Sequence, residues 1–380
     1  LQQCSLETCV DCREVTRVRV RVVKRGPVAL WSRKTPRAGE RDTSISGSTS
    51  PSAVSGGRVP RPLITAMIWD CASVCKYNAL RLELPAELNR LTFGRMFNLL
   101  VDVVEWPEAL EEVVFGEIFS QPIGKVSWPA GLKRSTFGNF FDQPLDDVRW
   151  PQGLKEVSFG AKFDIPLDSM EWPRGLDRIT LGERFSRDLA HVSLPPGLRM
   201  FTLQGRFDRS IDGVSWPAGL QILTLSRDFN QPVDEVAWPT GLKRLTFGCA
   251  FNKPVQRVAW PTGLKQLTFG CTFNQAVDTD PAVAWPSGLE TLEFGCDFSQ
   301  PIAGVAWPAG LRDLTFGRVF NQPVHGVLWP AGMTTLCFRD KFNQEMSKVS
   351  WPDGLVRVSF GKNFNREVDG LDWAERLSSL

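Results

Sequence analysis

Cysteine is the residue type in this chain whose spacing comes nearest to a chemical site. Cys9 and Cys12 form a C-x-x-C pair in "CVDC", and Cys4, Cys71 and Cys75 could add further thiolates. Two such pairs can bind zinc when the fold brings them together. Here the second pair has three intervening residues, no histidine is near, and a Ser/Gly/Pro-rich stretch separates the two pairs. The spacing therefore favours free or buried thiols over a zinc site.

Three further cysteines, Cys249, Cys271 and Cys296, recur at one position of a sequence repeat. If the copies stack as neighbouring strands do, their sulfur atoms lie about 5 Å apart. One interpretation is a redox or metal role; the other, which we favour, is recent duplication of one copy. The two histidines, His191 and His325, are distant, and we find no phosphate loop, nucleophile elbow or paired-carboxylate signature. We therefore predict a non-enzyme with no catalytic residue, no cofactor and no metal ion.

A period of 22 residues runs through most of the chain. A Trp-Pro or Leu-Pro element marks each copy, and successive elements are 22 residues apart except for one step of 25. The extra residues lie in "AVDTDPAV" at 276–283. A fixed period of this kind predicts a solenoid of stacked coils. The element stands at Leu84, Trp106, Trp128, Trp150, Trp172, Leu194, Trp216, Trp238, Trp260, Trp285, Trp307, Trp329 and Trp351, and Trp373 continues the spacing with Ala374 in place of the proline.

The pattern within one copy predicts two thin walls joined by turns. Leu245 and Phe247 alternate with polar residues, which is typical of a half-buried strand, so we expect short parallel strands stacked coil on coil. Gly248 follows, and its tolerance of positive φ is expected to end the strand. Val258 and Trp260 alternate again, which predicts a second extended segment on the opposite wall. The "WPTG" that begins at Trp260 has proline second and glycine fourth, as in a type I turn.

Aromatic and short polar residues recur in fixed columns of the repeat. The residue that ends each strand is mostly Phe, a second column is Phe in all thirteen copies, and a third takes twelve of the fourteen Trp. Because burying such a side chain stabilises a fold by roughly 1.5–3 kcal/mol, we assign these columns to the core. The residue after the second Phe is always Asn, Asp or Ser, which predicts a hydrogen-bonded ladder between coils. This framework includes Phe229, Asn230, Trp238, Phe247, Phe251, Asn252, Trp260, Phe273 and Asn274.

Charge and composition divide the chain into three parts. Residues 1–42 contain Cys and Arg without a clear period and are expected to be poorly ordered, and 43–62 have the Ser/Gly/Pro content of a flexible linker. Residues 1–62 carry a net charge of +7, which leaves −5 for the tandem repeats of 63–380. A mildly acidic body is not expected to bind nucleic acid, and no apolar run is long enough to span a membrane. The odd number of cysteines and the absence of an Asn-x-Ser/Thr sequon favour a cytoplasmic protein.

Two motifs connect the repeat to a known family. "FNQP" stands at 229–232 and 320–323, "FNKP" stands at 251–254, and "WPxGLxxLTFG" recurs beside them. From about residue 66 to its end, the chain resembles the FNIP repeat, a relative of the leucine-rich repeat. Trp replaces the usual aliphatic residue before the proline, and the copies across 177–227 are degenerate. The resemblance implies a mainly β, leucine-rich-repeat-like solenoid that binds other proteins and has no catalytic residues.

Polar positions beside each strand vary from copy to copy and form the candidate binding surface. Some copies are basic and others acidic, such as the copy with Glu111 and Glu112. Extended sheet faces are the usual binding surfaces of solenoids, so we predict a scaffold for a protein partner, without nucleic acid or a small-molecule substrate. A merely solvated face is the alternative interpretation, and a structural or surface-adhesive repeat is the alternative function. The candidate face comprises Lys133, Arg134, Thr136, Lys155, Arg178, Thr180, Arg199, Thr202, Lys243, Arg244, Thr246, Lys265 and Thr268.

Overall fold

The computed structural model describes residues 84–367 and the backbone of three earlier strands. These strands are β1 (Gln3–Cys4), β2 (Val18–Val23) and β3 (Ala66–Cys71). The rest of 1–42, the predicted linker at 43–62 and residues 368–380 lie outside the described residues. Thirteen short strands follow: β4 (Arg90–Phe93), β5 (Glu112–Val114), β6 (Arg134–Thr136), β7 (Glu156–Ser158), β8 (Arg178–Leu181), β9 (Met200–Leu203), β10 (Ile222–Thr224), β11 (Arg244–Thr246), β12 (Gln266–Thr268), β13 (Thr291–Glu293), β14 (Asp313–Thr315), β15 (Thr335–Cys337) and β16 (Arg357–Ser359).

All sixteen strands form one sheet whose spatial order is their order in the chain. From β3 to β16 each strand is parallel to its neighbours, and each residue pairs with its equivalent in the next coil, as Leu245 does with Leu267. β1 and β2 extend the sheet in antiparallel fashion, and β2 lies within the segment that the sequence predicts to be poorly ordered. The predicted leucine-rich-repeat-like solenoid of stacked parallel strands is confirmed.

Three tight turns bring each coil back to the next strand. In the coil of β11 these turns start at Gly248, Val255 and Pro261. In each turn the N–H of the fourth residue donates to the carbonyl oxygen of the first residue, at 3.0–3.3 Å. The prediction that the last turn starts at Trp260 is wrong by one residue. The reason is that Trp260 belongs to a tighter three-residue turn, in which its N–H donates to the carbonyl oxygen of Val258 at 3.1 Å. Proline is therefore the first residue of the final turn and glycine the third.

These turns also build the wall opposite the sheet. Within residues 84–367 no strand lies on that side, so the segment around Val258 and Trp260 carries no ladder of its own. Only one wall of each coil is tied to its neighbours by strand pairing. The turn wall is held instead by the side chains that it contributes to the core and by single hydrogen bonds between coils, such as that from the N–H of Gly241 to the carbonyl oxygen of Ala218 at 3.0 Å.

The glycine that comes after most of the strands is required for a different reason from the one predicted. Among the described residues the glycines with positive φ are Gly205 and Gly326, so the expectation of positive φ at Gly248 is wrong. A Cβ atom at Gly248 would overlap the carbonyl oxygen of Ser226, which lies in the preceding coil. Glycine permits this close approach of one backbone to the next because it has no side chain.

Stacked phenylalanine rings fill the centre of the solenoid. Phe251 is fully buried, and its ring centroid lies 6.1 Å from the equivalent ring in the coil on either side. Phe247 stacks on it at 4.0 Å, and Trp260 meets Phe247 edge-on at 6.3 Å, which are favourable aromatic geometries. The core assignment is confirmed for Phe229, Phe247, Phe251, Phe273, Trp238 and Trp260, which are buried. The tryptophan column is only partly in the core, because six of its members are half-buried against it, namely Trp106, Trp172, Trp216, Trp307, Trp329 and Trp351.

The polar ladder predicted beside the buried phenylalanine is also confirmed. The N–H of Asn252 donates to Oδ1 of Asn230 at 2.9 Å, and the N–H of Asn274 donates to Oδ1 of Asn252 at 3.0 Å. The amide of Gln275 adds a second donor to Oδ1 of Asn252 at 2.9 Å. Asp and Ser residues of the column act as acceptors in other coils. These short side chains therefore satisfy loop N–H groups of the following coils.

Candidate protein-binding face

The outward side of the sheet, called the strand face below, holds every residue of the predicted binding surface. It comprises the first and third positions of each strand from β4 to β16 and the residue immediately before each strand. In β11, Leu245 points into the core, whereas Arg244 is exposed and Thr246 is half-buried. Seven of the predicted residues are exposed, namely Lys133, Arg134, Lys155, Arg178, Arg199, Lys243 and Arg244, and six are half-buried, namely Thr136, Thr180, Thr202, Thr246, Lys265 and Thr268.

A continuous lane of threonine runs along the middle of the strand face. Five successive coils place Thr at the third strand position, from Thr180 in β8 to Thr268 in β12, and the parallel register sets each one opposite the next. β-Branched side chains suit a half-buried pleated surface, which accounts for the threonines without a ligand. The variable charges lie beside this lane, at the first strand position and the residue before it.

Charges at the N-terminal end of the strand face pair across neighbouring coils. Nζ of Lys133 lies 2.5 Å from the carboxylate of Glu111, and Arg134 lies 3.0 Å from Glu112. Glu112 also accepts from Arg90 at 2.9 Å, so one carboxylate is bridged by two guanidinium groups. The hydrogen bond that Arg134 donates to Glu112 raises the pKa of Arg134 above its ordinary value. The acidic coil therefore neutralises the basic coils that flank it.

The sequence signal for these ion pairs is opposite charge at a spacing of one repeat. Arg90, Glu112 and Arg134 stand 22 residues apart at the same strand position. Residues at that spacing become direct neighbours only when the register is one-to-one, and Arg90↔Glu112 and Glu112↔Arg134 are register partners. The acidic members of the face were not among the predicted site residues. They belong to the same surface.

The middle of the strand face is basic and lacks carboxylates. We define the basic centre as the strand-face positions from Arg199 to Thr268, which belong to β9, β10, β11 and β12. Lys243 and Arg244 are both exposed and occupy adjacent columns of one coil. Among the described residues Lys243 has no ion-pair partner, and Arg244 donates to the neutral amide of Gln266. These two cations are available to an anion from outside the chain.

The edges of the basic centre reach carboxylates in the coils beyond it. Arg199 lies 3.4 Å from Asp177 and remains largely exposed, and Lys265 lies 2.8 Å from Glu290. Two apolar side chains, Met200 and Ile222, occupy the first strand positions of β9 and β10 and are half-buried. The basic centre thus combines unpaired positive charge with a small apolar area.

Other chemistry considered from the sequence finds little support in the described part of the chain. Within residues 84–367 no group of three or more His, Cys, Asp or Glu side chains is arranged to hold a metal ion. His191 and His325 are both exposed and lie in different coils. The described residues include no helix that is long and apolar enough to cross a membrane. The zinc candidates between Cys4 and Cys75 lie outside the side chains that the structure describes.

Comparison with known proteins places the fold among leucine-rich-repeat structures. No family model matches the sequence, and no curated protein matches it. Among solved structures, CroV588, a novel circular LRR protein, superposes with a TM-score of 0.66 and 31% identity over 78% of this chain. The chain spans 46% of the length of CroV588. The protein described here is a leucine-rich-repeat-type tandem-repeat solenoid.

A second solved structure agrees on the fold. An internalin (inlF) from Listeria monocytogenes superposes with a TM-score of 0.51 over 83% of this chain and 86% of its own length. The identity is 17%, so this similarity concerns the fold alone. Both comparisons agree with the repeat solenoid described above.

Proposed function

We propose that the protein is a non-catalytic scaffold whose strand face binds a protein partner, and that its repeats are of the FNIP type. The repeated core and the polar ladder account for the constant positions of the repeat. The variable positions are collected by the register on one exposed sheet face, which is how solenoids present their binding surfaces. The similarity to leucine-rich-repeat structures, a fold generally used for protein interaction, supports this assignment.

The observation that carries the proposal is the unpaired charge of the basic centre. Lys133 and Arg134 already have carboxylate partners in the neighbouring coil, whereas Lys243 has none among the described residues. A cation without a partner is free to pair with an anion from a bound molecule, and the nearby Met200 and Ile222 can bury apolar side chains of the same molecule. The partner segment that fits is therefore an acidic stretch of a protein with one or two apolar residues.

The test compares two charge-reversed versions of the full chain as baits in a native lysate. Lys243→Glu with Arg244→Glu reverses the basic centre. Lys125→Glu with Arg257→Glu reverses two exposed cations on the turn wall, so both variants change the net charge by −4. Circular dichroism and thermal melting establish that both variants are folded.

Three outcomes separate the alternatives. A protein retained by the wild type and by the turn-wall variant, but lost from the basic-centre variant, supports the strand face as the binding site. Equal retention by all three baits places binding elsewhere and contradicts the proposal. If no bait retains a protein, the structural or adhesive alternative is favoured. A loss that grows with salt concentration identifies the contact as electrostatic.

A further inference from the structure

The column that follows the strand-ending glycine carries three thiols between two arginines. Successive coils place Arg227, Cys249, Cys271, Cys296 and Arg318 at this position. Cys249 is exposed, and Cys271 and Cys296 are half-exposed. Neither the core nor the proposed partner site uses this column, so the thiols have no role in the functions discussed so far.

Backbone contacts hold the thiols of neighbouring coils in line. The N–H of Thr272 donates to the carbonyl oxygen of Cys249 at 2.9 Å, and the N–H of Asp297 donates to that of Cys271 at 2.8 Å. The glycine before each cysteine allows the coils to approach without a Cβ between them. Neighbouring parallel strands are about 4.8 Å apart, which lies within the Cα separation of about 4.4–6.8 Å that disulfides require.

The sulfur atoms of Cys249 and Cys271 are already in contact. Their Sγ atoms lie 2.7 Å apart, although both residues are free thiols. Cys249 and Cys296 are separated by two coils, about 10 Å at this strand spacing, which exceeds the reach of a disulfide. Cys271 is therefore the one member of the column that can pair with either of the other two.

The electrostatic setting gives the two thiols different roles. The hydrogen bond with Cys249, followed by burial and the nearby Cys296, raises the pKa of Cys271 to about 12. Cys271 therefore stays protonated at neutral pH. Arg227 is close enough to Cys249 that the two interact electrostatically. The thiolate is the nucleophile in thiol–disulfide exchange, and Cys249 is the more exposed of the two residues.

We propose that Cys249 and Cys271 form a reactive dithiol that a small-molecule disulfide, such as oxidised glutathione, converts to a disulfide linking adjacent coils. The thiolate of Cys249 attacks one sulfur of the small disulfide, forms a mixed disulfide and releases one thiolate. Cys271 then loses its proton and attacks Sγ of Cys249, and the second small thiol leaves. Two protein thiols are oxidised and one small disulfide is reduced to two thiols, so atoms and electrons balance.

The same coupling that keeps Cys271 protonated is removed by the first step. Once the sulfur of Cys249 is in a mixed disulfide, it no longer raises the pKa of Cys271 as a neighbouring thiol. Cys271 then ionises more readily at the moment when it is needed as the second nucleophile. The greater exposure of Cys249 to a small disulfide sets the order of attack, Cys249 first and Cys271 second.

The test uses the reduced full chain in a buffer of oxidised and reduced glutathione, followed by alkylation of remaining thiols and tryptic digestion. Trypsin separates peptide 245–257, which contains Cys249, from peptide 266–312, which contains Cys271 and Cys296. We expect these two peptides to be recovered as a disulfide-linked pair. Cys271→Ser should abolish the pair and leave glutathione on Cys249. Cys337→Ser, which removes a thiol from β15, is the matched control and should retain the pair.

Two results would overturn the proposal. One is a wild-type chain in which Cys249 accepts glutathione but the linked peptides never form. The other is a linked pair that persists in Cys271→Ser, because that link would join Cys249 to Cys296. Cys271→Ala serves as a second variant if serine disturbs the turn, since alanine already occupies this column at Ala161. A melting temperature that rises on oxidation of the wild type, and not of Cys271→Ser, is a second expected readout.

Discussion

Replacing Gly270 by alanine tests why the strand-ending column is glycine. The Cβ atom that this substitution adds would overlap the carbonyl oxygen of Gly248 and lie 2.9 Å from Cα of Cys249, although Gly270 has no positive φ. The Cβ atom would also lie 2.4 Å from the carbonyl carbon of Gly248, and carbon atoms in contact are about 3.5–4.0 Å apart, so the two coils must separate by at least roughly 1 Å. Gly326→Ala is the matched control, because Gly326 has a φ of 76° but no atom within 4 Å of its Cβ position.

The magnitude follows from the hydrogen bonds on either side of the overlap. Phe247 N–H to Thr268 O and Thr272 N–H to Cys249 O both measure 2.9 Å. Lengthening them by roughly 1 Å takes both beyond the usual limit of about 3.2 Å. Each of the two groups of the Phe247–Thr268 bond left unpaired inside the sheet costs about 1–3 kcal/mol, whereas water can replace the bond between the exposed Thr272 and Cys249, so we expect Gly270→Ala to lose about 2–6 kcal/mol. Gly326→Ala is destabilised only by placing alanine in a left-handed backbone conformation, which costs about 1–2 kcal/mol.

Urea denaturation of both variants measures the difference, and native-state hydrogen exchange locates it. The amides of Phe247 and Thr272 should lose protection in Gly270→Ala and keep it in Gly326→Ala. Equal destabilisation of the two variants would refute the argument from close approach. Unchanged protection at Phe247 and Thr272 would do the same, because the coils would then not have separated.

Other predictions concern the core, the ladder and the ion pairs. Phe251→Ala should lower the free energy of unfolding by about 3–5 kcal/mol, whereas Phe140→Ala should lower it much less, because the side chain of Phe140 is 40% exposed. Similar losses for the two variants in urea denaturation would contradict the core assignment. Asn252→Ala should destabilise the fold by about 1–3 kcal/mol, because it removes the oxygen that accepts from the N–H of Asn274. Asn252→Asp keeps an acceptor and should not have this effect, and thermal melting of the two variants measures the difference. Ser135→Val should raise the melting temperature, because the hydroxyl of Ser135 is buried without a hydrogen-bond partner; a lower value would indicate overpacking. The hydrogen bond from Lys265 holds the pKa of Glu290 below its usual value. The pair therefore stabilises the fold at pH values above the pKa of Glu290 in the unfolded chain, and this stabilisation is lost as the pH falls through the pKa of Glu290 in the folded chain. Glu290→Gln should lower the melting temperature at pH 7 but not in acid.

The periodic features could be predicted from the sequence because each is repeated many times. A strand at Arg244–Thr246, a buried Phe251 and a hydrogen-bonded Asn252 are each supported by equivalent residues in other copies. A fixed 22-residue period requires every copy to occupy the same place in its coil. The alternation of polar and apolar residues then decides which side of the strand faces the core.

The tertiary structure alone decided what depends on the distance between coils. Gly248 is glycine because the backbone of the preceding coil approaches closely, and its own sequence context cannot show that approach. Lys133 is neutralised by Glu111 while Lys243 keeps its charge free, although both look alike in their own copies. The contact between Cys249 and Cys271 likewise exists only once the coils are stacked in register. Local pattern determines each coil, but the separation and register of coils are set by packing between residues 22 or more positions apart.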